Sequence, residues 1–125
     1  LGTIYASILH NNQLFLGTNQ GLFYKKYNTN DPFKFIKGTS GQVWSLTEIN
    51  DDLFCSHDAG IFIIKNNSIS SILKTQGTWN VKQINNQLVI SGNYIGLSVL
   101  EKKEGIWKVR NKIKGFSNSS KYFEF

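Results

Sequence analysis

Six side chains in this sequence have the types and spacing to hold a polyhydroxylated ligand: Trp44, Trp79, Tyr94, His57, Asp58 and Asn93. Aromatic faces stack on sugar rings, while amides, carboxylates and imidazoles hydrogen-bond hydroxyls. A few such groups converging in a concave place make a binding site. Each also has a structural role to set against this one. Trp44 and Trp79 share a repeat position with Tyr5, which packing between neighbouring units would explain. His57-Asp58 reads as a polar turn, and Tyr94 as part of a turn with an added residue.

Catalysis finds less support. Glycoside hydrolysis needs two carboxylates flanking one bond. Asp31, Asp51 and Asp52 fall in predicted turns, and Glu101, Glu104 and Glu124 show no paired spacing. Glu48 and Asp58 form the one arguable pair, expected near opposite ends of one unit. His10 and His57 belong to different units and opposite strand ends, so no metal-ligand cluster is expected. The lone Cys55, within Leu53-Phe54-Cys55, reads as a small buried side chain. No glycine-rich phosphate loop is present. The chain is therefore expected to bind without catalysing and to need no cofactor or metal.

The formal charge of +6 is concentrated late, at Lys102, Lys103, Lys108, Arg110, Lys112 and Lys114. Lys108, Arg110, Lys112 and Lys114 alternate with Val109, Asn111 and Ile113, as in a strand with one solvated face, and lysines on an outer edge discourage edge-to-edge pairing. This pattern argues against a nucleic-acid surface. Apolar runs such as Ile61–Ile64 fall far short of the roughly 20 residues that span a bilayer, so no membrane contact is expected. The chain starts at Leu1 and contains no methionine, which reads as an excised segment or mature fragment.

What must position the six residues is a repeat. An aromatic is followed nine positions later by leucine three times: Tyr5 to Leu14, Trp44 to Leu53 and Trp79 to Leu88. A glycine follows each leucine, at Gly21, Gly60 and Gly96. Asn/Asp/Gly clusters divide each unit into four short runs rich in apolar and β-branched residues. In the second unit these predict strands over Val43–Ile49, Leu53–Ser56, Gly60–Lys65 and Ser68–Leu73, broken at Asn50-Asp51-Asp52, His57-Asp58-Ala59 and Asn66-Asn67.

Four strands in a period near 40 residues describe a β-propeller blade. The expectation is an all-β propeller fragment of three four-stranded antiparallel blades. They cover about 4–40, 43–76 and 79–115, with the first strand of a fourth blade over about 119–125. Three blades cannot close a ring. Partner surfaces are therefore the remaining blades of a longer chain, a protein docked on exposed blades, or a second copy in a homodimer. Ligand sites in such rings form where the loops leading into the inner strands meet the turns between second and third strands. Here those are 38–42, 74–78 and 115–119 with Asn19-Gln20, His57-Asp58 and Asn93-Tyr94.

The run Gln13-Leu14-Phe15-Leu16-Gly17-Thr18-Asn19-Gln20-Gly21-Leu22-Phe23 resembles the two-component-regulator propeller repeat, which reads roughly Gly-x-Leu-Trp-Ile-Gly-Thr-x-x-Gly-Leu. Val43-Trp44-Ser45-Leu46 and 116–125 resemble that family's strand openings. Phe15 replaces the usual Trp, and Cys55-Ser56 and Ile90-Ser91 replace Ile-Gly-Thr. The resemblance implies the periplasmic sensor propeller of a membrane-anchored signal-transduction or transcription regulator, many of which respond to polysaccharide breakdown products.

Overall fold

A computed structural model describes residues 2–74, 78, 80–85, 88–93 and 96–114, with 90, 93, 96, 97 and 111–114 given by their backbone. Its twelve strands form three four-stranded antiparallel sheets, each an up-and-down meander. The first sheet holds β1 (Ile4–His10), β2 (Gln13–Thr18), β3 (Gly21–Lys26) and the short β4 (Lys34–Phe35). The second holds β5 (Val43–Ile49), β6 (Asp52–His57), β7 (Gly60–Lys65) and β8 (Ser68–Leu73). The third holds β9 (Asn80–Asn85), β10 (Leu88–Asn93), β11 (Gly96–Lys103) and β12 (Ile106–Lys114). Among the described residues there is no helix. The expected strand at 119–125, with Trp79 and Tyr94, lies outside the described residues.

The bounds of β5, β6 and β7 are those of β1, β2 and β3 moved on by 39 residues. Two-residue hairpins of one kind set this repetition. Asn11 and Asn12 have φ of 50° and 61°, Asn50 and Asp51 49° and 69°, Asn66 and Asn67 51° and 61°. Two successive positive values define the type I′ turn, whose twist matches that of the strands it joins, and Asn and Asp tolerate this region best among side-chain-bearing residues. Because the turn uses only Asn50 and Asp51, the next residue is released to the strand. Asp52 accordingly starts β6 and is buried, correcting its expected place in the loop. His57 likewise closes β6, because Asp58-Ala59 alone link it to Gly60.

The third sheet departs from the period in one place. Asn93 pairs with Gly96 as His57 pairs with Gly60 and Thr18 with Gly21, so all three second turns have two residues. The added residue expected near Asn93-Tyr94 is therefore not there. It enters earlier, where Leu88 pairs with Asn85 but Val89 with Gln83, leaving Ile84 as a bulge.

Strand alternation in the second sheet sends apolar residues to both sides. Leu53, Cys55, Phe62 and Ile64 pack with Phe15, Leu22 and Ile36 of the first sheet. Phe54, Ile61, Ile63 and Leu73 pack with Val81, Val89, Leu100 and Trp107 of the third. Consequently β6 is buried at every position, and β7 at all but Lys65. Cys55 is fully buried as expected, and desolvation pushes its thiol well above the ordinary range. Such a thiol is inert packing material.

The first strands of successive sheets lie side by side, β1 against β5 and β5 against β9. At this contact Gly17 meets Val43 so closely that an added Cβ would stand 2.4 Å from Val43 Cγ1. Ser56 repeats Gly17 one period on, and its hydroxyl is buried with no partner among the described residues. Gly17→Ala should therefore cost about 1–3 kcal/mol through overpacking. Ser56→Ala should be neutral or slightly stabilising, within about 1 kcal/mol. Urea midpoints of the two variants check this contrast.

Asp52 ties the second sheet to the third. Its Oδ2 accepts from Trp107 Nε1 at 2.8 Å and Lys102 Nζ at 3.0 Å, with Lys65 Nζ 3.8 Å from Oδ1. Burial raises the carboxyl pKa, but the Trp107 and Lys102 hydrogen bonds and the two lysine charges outweigh it and hold it below the ordinary value. A depressed carboxyl stabilises the fold above the unfolded-state pKa of roughly 4 and loses that contribution as pH falls through the folded value. Unfolding measured from pH 6 down to about pH 2 should show stability falling below about pH 4, less steeply in Asp52→Asn.

Candidate functional site

Each sheet has one end where type I′ turns gather and an opposite end where the chain enters the first strand. Trp44, His57, Asp58 and the backbone of Asn93 fall at the second. There the second turn of a sheet hydrogen-bonds the segment leading into its first strand. Asn19 N–H donates to Thr3 O at 3.2 Å, and Asp58 N–H, one period on, to Gln42 O at 3.1 Å. The turn itself is held by the last residue of the second strand. Gln20 N–H donates to Thr18 Oγ1 at 2.9 Å, and Ala59 N–H to His57 Nδ1 at 2.9 Å. His57 thus replaces a threonine in a fixed structural role.

Its larger ring reaches further. Since Nδ1 accepts from Ala59, the proton is on Nε2, which donates to Thr39 O at 3.0 Å. Thr39 in turn accepts from Leu22 N–H at 3.0 Å and donates to Ile36 O at 2.7 Å through Oγ1. The imidazole lies over Phe62, with centroids 4.7 Å apart, and is 3 % exposed. Gly41, at φ 117°, permits this approach: a Cβ there would stand 3.0 Å from His57 Cε1. His57 therefore joins the first sheet's final loop to the second sheet's turn, its ring nitrogens engaged by backbone.

Trp44 and Asp58 face outward at this end. The ladder between β5 and β6 shifts register between Val43 and Ser45, leaving Trp44 as a bulge residue. Tyr5 is a bulge at the equivalent place between β1 and β2. Bulges re-aim side chains. The two rings lie 6.0 Å apart and 59° tilted, with Tyr5 half-exposed. Trp44 Nε1 donates to the exposed Asp58 carboxylate, Oδ1, at 2.7 Å. The arrangement offers two adjacent aromatic surfaces and an anionic acceptor on one rim. Tyr5 was readable at the aromatic repeat position yet absent from the six expected residues. Asn93 holds His57's register position, while Trp79 and Tyr94 lie outside the described residues.

The turn end carries a second polar constellation. His10 Nδ1 bonds Glu48 Oε2 across the first two sheets, and Asn11 Nδ2 donates to His10 Nε2 at 3.2 Å. Beside it opens a cleft of about 310 Å³ lined by Gln13, Asp51, Lys65, Asn66 and Asn67 over Phe15 and Ile64. Glu48 stands here and Asp58 at the far end of the same sheet, as the spacing predicted, so the two do not flank one bond. No group of His, Cys, Asp or Glu among the described residues could hold a metal ion.

No protein-family model matches the sequence, and no curated protein matches it.

The contrast between His57 and Trp44 can be measured. His57→Ala removes a buried ring and strands Thr39 O inside the protein, and should cost about 2–4 kcal/mol. Trp44→Ala, on a half-exposed rim, should cost less than about 2 kcal/mol. Thermal melts of both variants against the parent chain give the comparison.

Proposed function

We propose that the three sheets are successive blades of a β-propeller and that the chain is the ligand-binding part of an extracytoplasmic sensor, with a glycan-derived ligand held at the Tyr5–Trp44–Asp58 rim. The observation that carries this reading is the repeated bulge. Packing alone would keep an aromatic within the sheet, whereas the bulge turns Tyr5 and Trp44 out beside a carboxylate at the lead-in end. Stacking surface with a charged acceptor beside it is suited to a sugar ring and its hydroxyls.

The sensor part of the reading draws on the resemblance of Leu14–Phe23 to the regulator repeat. On this reading the chain is periplasmic and belongs to a gene that also encodes a membrane anchor and an output module. A gene sequence lacking both would remove that part and leave the binding part standing.

The polar cleft beside His10 supports a second location for the same class of ligand. Its amide lining donates and accepts without a net charge of one sign, and its volume suits a single sugar unit.

A glycan array probed with this chain should give binders whose affinity falls at least about tenfold in Tyr5→Ala, Trp44→Ala and Asp58→Ala. Loss in Asn66→Ala and Lys65→Ala instead would move the ligand to the cleft. Undiminished binding in all five variants would remove both sites.

A further inference from the structure

The connection between the third and fourth strands of the first sheet stands outside the repeat. Asn66-Asn67 and Glu104-Gly105 suffice in the second and third sheets, whereas residues 27–33 join β3 to β4. From Lys25 to Lys37 the chain carries Lys25, Lys26, Lys34 and Lys37 against a single carboxylate, Asp31, and interleaves them with Tyr27, Phe33 and Phe35. The equivalent outer strand of the second sheet, Ser68–Leu73, has neither a lysine nor an aromatic. Packing common to the sheets therefore does not call for these residues.

The stretch is held from within and presents its side chains outward. Ile36, 1 % exposed, donates its N–H to Leu22 O at 2.9 Å. Tyr27 N–H donates to Asn12 O at 3.0 Å, and Thr29 Oγ1 to Lys26 O at 2.9 Å. β4 is the edge of its sheet. Along it Tyr27 is 50 % and Phe35 44 % exposed, with Lys26, Lys34 and Lys37 exposed beside them. Lys25 Nζ lies 5.3 Å from the centre of the Phe33 ring and donates to Thr29 O at 3.0 Å. Among the described residues no carboxylate forms an ion pair with any of the four lysines.

Lysines on a sheet edge would by themselves keep other strands away. Exposed Tyr27 and Phe35 among them work against that role. Cations beside exposed aromatics suit the boundary layer of an anionic bilayer, where rings sit at headgroup level and lysine charges stay in water above them. Apolar runs as short as Ile61–Ile64 speak against a spanning helix, but a surface contact of this kind needs no such run. A single-stranded nucleic acid would want a groove with open ring faces. Here the rings line an outer edge, with Phe33 partly covered by Lys25 and Phe35 by Phe23.

We propose that the outer edge of the first sheet rests on an anionic lipid surface, with Tyr27 and Phe35 entering the headgroup layer and Lys26, Lys34 and Lys37 meeting its phosphates. This inference rests on the charge and exposure of one edge, and on neither the blade reading nor the ligand.

Co-sedimentation with phosphatidylcholine vesicles containing about one third phosphatidylglycerol, in about 0.1 M salt, should recover the chain at least about tenfold better than pure phosphatidylcholine vesicles do. Replacing Lys26, Lys34 and Lys37 together by Gln should weaken this binding at least about tenfold, and so should Tyr27→Ser combined with Phe35→Ser. Lys82, Lys103 and Lys108, exposed on the third sheet, lose the same charge when replaced by Gln and should leave binding within about twofold. An unchanged thermal melt of the lysine variants confirms that each folds. Absence of binding to the anionic vesicles overturns the proposal, whether or not a single-stranded oligonucleotide binds. So does an equal loss in the two lysine variants, which would reduce the effect to net charge, or full binding by the Tyr27 and Phe35 variant.

Discussion

A short-stranded sheet with apolar residues on both faces cannot be stable by itself, and everything else in this molecule follows from satisfying that requirement. The second sheet does so completely, placing Leu53, Cys55, Phe62 and Ile64 on one side and Phe54, Ile61 and Ile63 on the other. At about 1.5–3 kcal/mol for each large apolar side chain buried, these two faces supply most of what offsets the entropy of ordering the strands. A small residue is demanded where β2 passes the start of β5, which accounts for Gly17 against Val43, and Ser56 takes the same place one period later. Among the described residues the Ser56 hydroxyl has no partner, which is the cost of a site that tolerates a small side chain but offers it no acceptor.

The two ends of the stack use polar residues differently. At the turn end, Asn and Asp in the left-handed region close hairpins, and buried Asp52 gathers Trp107, Lys102 and Lys65 from two sheets. At the lead-in end, Thr18 and His57 hold the second turns from within while bulges carry Tyr5 and Trp44 to the surface. A ligand at this rim would meet side chains whose supporting backbone is fixed by buried hydrogen bonds. Such pre-organisation lowers the ordering cost of binding.

Much of the architecture was legible in the residues. Aromatic, leucine and glycine spacings gave the period, and in the second unit three predicted strands match to the residue while β6 extends one residue further at each end. Asp52 and His57 were misplaced for one reason. Each adjoins a turn-forming cluster, and sequence alone does not show that a two-residue hairpin leaves its neighbours in the strands. The extra residue of the third unit was misplaced because aligning Leu88 with Leu14 and Leu53 pushes the discrepancy downstream. Bulges at Tyr5 and Trp44 were illegible, since an unpaired strand residue has no compositional mark there. Of the six expected ligand residues, Trp44 and Asp58 meet at the rim and His57 serves the scaffold behind them.

The divergence among equivalent positions is as informative as the repetition. His10, Ile49 and Asn85 occupy one place in three sheets, and Leu9, Glu48 and Gln83 another. Had every interface carried the same pair, any sheet could dock on any other with equal ease. The His10–Glu48 hydrogen bond instead marks one junction, because neither Ile49 nor Asn85 carries the imidazole that meets Glu48 there. Glu48 is 44 % exposed, so a wrong order forfeits that bond without stranding a buried charge, a preference of about 1 kcal/mol. Polar residues at the first-strand ends thereby mark one junction, while the apolar faces on either side of the second sheet supply cohesion.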